Sequence, residues 1–72
     1  MTKQTATKIS TFMLDAADRL NSSIDEILAS ESHEEFVAYR ALAGRVMGEM
    51  YSLLRYVYRQ YPDLEPPDWR GE

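Results

Sequence analysis

In the first part of the chain, the apolar positions Ile9, Phe12, Met13, Ala16, Leu20, Ile24, Ile27 and Leu28 recur at steps of three and four residues. That spacing marks one face of an amphipathic helix. Asn21, Ser22 and Ser23 are poor helix formers in its middle, and Ser23 with Glu26 has the spacing of a capping box. The phase nevertheless runs on from Leu20 through Ile24 to Ile27 at about 100° per residue. The pattern therefore predicts one helix over about residues 5–29, with Asn21–Ser23 as the place for a kink, preceded by a frayed start at residues 1–4. Ala29 to Ser32 form the connection. Ser32 is a good N-cap, Glu35 completes a capping box, and Glu34 and Glu35 suit the positive end of a helix dipole. A second helix is predicted over 33–61, with Arg55 and Arg59 near its negative pole. Pro62 ends it, because the residue before a proline is pushed out of the helical region. Two helices of similar length on a short turn make an all-α antiparallel hairpin.

The second helix carries an unusually wide apolar arc. At about 100° per residue, Phe36, Tyr39, Ala43, Val46, Met47, Met50, Leu53, Leu54, Val57 and Tyr61 share one side. Tyr51 and Tyr58 extend it in one direction and Leu42 in the other. The arc covers roughly half the circumference, against the ~100° stripe of an ordinary surface helix. One neighbouring helix does not cover that width. The expectation is a homodimer in which two hairpins pair as a four-helix bundle, with the second helix central to the interface.

Beside the arc runs a stripe of small residues, Ala41, Gly44, Gly48 and Ser52, which continues as Arg55 and Arg59. A helix-interior glycine costs about 1 kcal/mol against alanine, so two of them invite a reason. Spaced four apart, they would let another backbone approach closely. The rival readings are a flexible point in the helix and a groove narrowing onto guanidiniums that bind a carboxylate or phosphate. Tyr51, Tyr56, Tyr58 and Tyr61 interleave with the two arginines, a mixture enriched in protein interfaces. The last segment, residues 62–72, is an acidic proline-rich tail expected to be extended, with Pro66-Pro67 favouring polyproline II. Its anchors are Leu64 and Trp69, which either fold back over the hairpin or dock on another protein.

Composition narrows the function classes. The chain has 72 residues, 44% apolar and 28% charged, which describes a single small globular domain. It has no cysteine and one histidine, so disulfides and thiolate or multi-histidine metal sites are excluded. A core this small supplies roughly 3–5 kcal/mol at best, which leaves oligomerisation or very good helix packing as reinforcement. Net charge is −4, distributed as −4 over residues 1–35, +3 over 36–61 and −3 over 62–72. Two helices of opposite charge suit packing against each other. The acidic balance, without a dense basic patch, argues against nucleic acid. No apolar run is long enough for a membrane span, and no apolar signal core follows Lys3 and Lys8. The expected location is the cytoplasm.

Catalytic chemistry needs a base beside a nucleophile or paired carboxylates. His33 sits in an exposed first turn beside two glutamates, no Glu-x-x-His occurs, and Gly44 and Gly48 lie inside a helix rather than in a phosphate loop. No enzyme and no cofactor are expected. The sequence reads as a self-associating protein–protein interaction module or accessory factor, with a larger protein as a possible further partner. The alternative is an acidic regulatory or inhibitory protein, of phage type, that occupies a basic surface on a larger complex.

Overall fold

The structure, a computed structural model, describes residues 1–70, with the side chain of Arg70 set aside. It is all-helical: α1 spans Lys3–Ser30, α2 spans His33–Gln60, and two short 3₁₀ turns follow at Pro62–Leu64 and Pro67–Arg70. The two long helices pack against each other as a hairpin. No helix among the described residues is long and apolar enough to cross a membrane.

The start of the chain is ordered rather than frayed. Thr2 is the N-cap of α1, its hydroxyl accepting from the Thr5 N–H at 3.2 Å. The Tyr61 hydroxyl donates to the Met1 carbonyl, and Lys3 pairs with Asp63. α1 then runs without interruption through Asn21–Ser23. The Ser23 hydroxyl donates to the Leu20 carbonyl at 2.6 Å. Its single proton being used there, it accepts from the Tyr39 hydroxyl, also at 2.6 Å. A residue that looks like a helix breaker is thus half of a link between the helices. The turn is only Glu31 and Ser32, with Ser32 accepting from the Glu35 N–H at 3.2 Å. Tyr61 closes α2, its N–H reaching the Val57 carbonyl.

The close approach of the helices uses small residues of α1, not the glycines of α2. Ala6, Ser10 and Ala17 are the buried residues of α1, and Ala43, Leu54, Val57 and Tyr58 those of α2. The Ser10 and Tyr58 hydroxyls meet at 2.6 Å inside this seam. Around Ala6, Leu54, Val57 and Tyr58 pack Ile9, Met13, Leu14, Tyr51, Tyr61, Leu64 and Trp69. The core is therefore concentrated at the open end of the hairpin, where the tail returns.

Over its described residues, 62–70, the tail is not extended, and residues 71–72 lie outside the described residues. Pro62 and Pro67 open the two 3₁₀ turns, because a ring-fixed φ near −65° serves polyproline II and 3₁₀ backbone equally. The choice is made by tertiary contact. The Trp69 ring stands edge-on to Tyr51 at 5.1 Å and to Tyr58 at 5.8 Å, an arrangement worth about 0.5–1.5 kcal/mol per pair beyond area burial.

The ion pairs among the described residues are Lys3–Asp63 and Arg19–Asp15. None joins α1 to α2, so the opposite charges of the two helices are not matched across the seam. The Lys3 ammonium bonded to Asp63 holds that carboxyl below its ordinary value, with desolvation opposing, the Lys3 charge assisting and the Asp63 backbone N–H adding to it.

Tyr58→Phe leaves Ser10 without its hydroxyl partner and should cost about 1 kcal/mol, since a helical serine can turn back to its own backbone. Thermal unfolding checks this. Because the Asp63 pKa is depressed on folding, its contribution is present above the unfolded carboxylate value and is lost as pH falls through the lower folded one. An NMR titration should show the Asp63 pKa rising in Lys3→Met, and the acid-induced loosening of the tail disappearing with it.

Candidate interaction surface

Two helices in contact leave a flank on either side of their seam, and in this hairpin the flanks differ. The tail covers one. There Trp69 lies over Tyr51 and Tyr58, and the adjoining surface has two shallow depressions of about 220 and 230 Å³. The first is lined by Tyr51, Arg55 and Trp69, the second by Arg55, Tyr58, Arg59 and Glu65. Both arginines are exposed, and among the described residues Arg55 donates one long bond of 3.4 Å to the Ser52 hydroxyl.

The other flank is open and apolar. A depression of about 400 Å³ lies between the helices there, lined by Met1, Lys8, Ile9, Phe12, Met13, Leu53, Tyr56 and Val57. Phe12 at its edge is 69% exposed. At about 100° per residue, Leu42 and Val46 continue the same side of α2 toward the turn, and they are 61% and 52% exposed. Of the eight large apolar residues left exposed, Met1, Phe12, Leu42, Val46, Leu53 and Tyr56 belong to this flank, and only Leu28 and Val37 lie elsewhere.

The residues expected at an interface divide accordingly. Ala43, Leu54 and Tyr58 are buried within the chain. Phe36, Tyr39, Met47, Met50 and Tyr51 are half-buried, and Gly44, Val46, Gly48, Arg55 and Arg59 are exposed. Leu64 and Trp69 are half-buried against the hairpin core, so the tail folds back as one of its two readings required. A side chain added at Gly44 or Gly48 would meet nothing within 4 Å. Both glycines lie toward the tail flank, away from the apolar opening. Phe12, Leu42 and Leu53 lie in the apolar arcs read from the sequence and Tyr56 among its interleaved tyrosines, but the spacing alone did not gather them on one open flank. Their signal was phase: each sits at the margin of its helix's apolar arc, on the side the tail does not reach.

The molecule is flat, 44 × 25 × 16 Å, with a radius of gyration of 14.5 Å. A compact chain of this length has about 11 Å. Its accessible surface of 5354 Å² exceeds the roughly 4,600 Å² of a folded monomer of this mass by about 750 Å². No protein-family model, curated protein or solved structure matches the chain.

Since nothing stands over the glycine positions, Gly44→Ala and Gly48→Ala should each stabilise the fold by up to ~1 kcal/mol through helix propensity. Chemical denaturation reads this directly. Destabilisation by either substitution would place a second backbone over the stripe.

Proposed function

We propose that the protein is a small helical interaction module that works as a homodimer, two hairpins closing into a four-helix bundle with α2 central to the contact. The observation that supports this best is the uncovered flank. Phe12, Leu42, Val46, Leu53 and Tyr56 together expose more apolar surface than so small a core offsets. The surplus of about 750 Å² is close to the ~800 Å² that each partner contributes to a standard interface. The buried members of the arc, Ala43, Leu54 and Tyr58, build the hairpin, and the exposed margin is the part left for a partner. A non-enzymatic role accords with this reading, in which the output of the module is assembly.

Sedimentation or light scattering at micromolar concentration should give twice the 8.3 kDa chain mass. Leu53→Glu should shift the protein to monomer and lower its thermal stability, because the flank loses its cover. A well-folded monomer at that concentration would sink the reading.

A further inference from the structure

The exposed charges beside the open flank favour one way of pairing two copies. At about 100° per residue, Lys8, Asp15, Arg19 and Glu26 lie along the outer edge of α1 on that side, and Arg45 and Glu49 along the outer edge of α2. The two-residue turn between Ser30 and His33 sets which residues of the two antiparallel helices stand abreast, and the bonds Ser23–Tyr39 and Tyr61–Met1 agree with it. Between them, at ~1.5 Å rise per residue, Asp15 stands about level with Glu49, Arg19 with Arg45, and Ala17 with Met47.

A flank can stack on itself about two kinds of two-fold axis. An axis along the helices lays α1 of one copy over α2 of the other. Asp15 then falls beside the partner's Glu49 and Arg19 beside the partner's Arg45, so both meetings are repulsive. An axis across the helices lays each helix antiparallel on its own counterpart. Arg45 then meets the partner's Glu49, Asp15 the partner's Arg19, and Lys8 the partner's Glu26. Any oppositely charged pair four apart on a helix is self-complementary about its own midpoint, so one such pair decides nothing. Here three midpoints coincide. The pairs 15/19 and 8/26 are both centred on Ala17, the pair 45/49 on Met47, and those two residues are abreast. Helix stability alone gives no reason for that coincidence.

We infer that the second copy docks on the open flank about a two-fold axis crossing the hairpin at the level of Ala17 and Met47, with like helices antiparallel. This rests on the self-association reading and adds its geometry. Val46 lies next to the axis and meets its own counterpart. Leu42 faces the partner's Leu53, and Phe12 reaches the small Ser23 of the partner. The Arg19–Asp15 bond of 3.0 Å becomes one side of a four-charge square.

The chain has no cysteine, so single-cysteine variants report the geometry directly. Val46→Cys should cross-link to itself on mild oxidation. Leu42→Cys and Leu53→Cys should each fail alone and cross-link when mixed. Mixed Phe12→Cys and Leu53→Cys chains that cross-link, with Val46→Cys silent, would overturn the orientation while leaving the dimer standing. Only a monomer in sedimentation removes both readings. A charge test is independent of cysteine placement. Arg45→Glu and Glu49→Arg should each weaken the homodimer by about tenfold, and the two variants mixed should pair preferentially with each other. Equal homodimer and heterodimer affinities would overturn the orientation.

Discussion

Two helices touch along a line, and that limit governs this molecule. A seam of small residues can be made tight, but each helix still presents apolar surface to both sides of it. Among the described residues only six apolar ones are buried within the chain, a small core against the conformational entropy of a 72-residue chain. How each flank is closed therefore decides the architecture. The tail closes one, bringing Leu64 and Trp69 onto the core and fastening the chain ends through Tyr61–Met1 and Lys3–Asp63. The other flank is left to association, the reading proposed above.

The seam carries polar contacts beside its apolar ones. Met13, Met47 and Met50 near it are unbranched and adaptable, and would tolerate a slip of one helix past the other. The hydroxyl pairs would not. Ser10–Tyr58 lies toward one end of the hairpin and Ser23–Tyr39 toward the other, and a slip of one turn would unpair both, leaving polar groups without partners in a part-buried setting. The same register sets the charge midpoints of α1 and α2 side by side.

Both helices, the Ser32 cap and the Pro62 stop were legible in the sequence because each is a local matter of periodicity or capping. The departures have non-local causes. Thr2 caps α1 without a glutamate at the box position, where Thr5 stands, and its order also draws on contacts from residues sixty positions away. Pro66-Pro67 is compatible with two backbone forms, and the Trp69 contacts with Tyr51 and Tyr58 select one. The Gly44–Gly48 stripe signals room for a neighbour but not whether one comes. In this chain the close approach is made by Ala6, Ser10 and Ala17, small residues beside the apolar positions that the spacing of α1 picks out. The width of the α2 arc was legible, whereas its division between tail and open flank required knowing which way the tail turns.

Charge has a different part from the one its distribution suggests. An acidic first helix beside a basic second invites the idea of matching across the seam, yet the seam holds hydroxyls and small apolar groups, and the charges stand at the outer edges. Exposed ion pairs contribute about 0–1 kcal/mol each, so these residues do little for the hairpin itself. Their position gives them another use. Charges rimming an apolar surface discriminate between orientations of a partner more than they add affinity. In the proposed dimer, Phe12, Leu42, Val46 and Leu53 would supply the drive to associate, and Asp15, Arg19, Arg45 and Glu49 would select which of two similar stackings is formed.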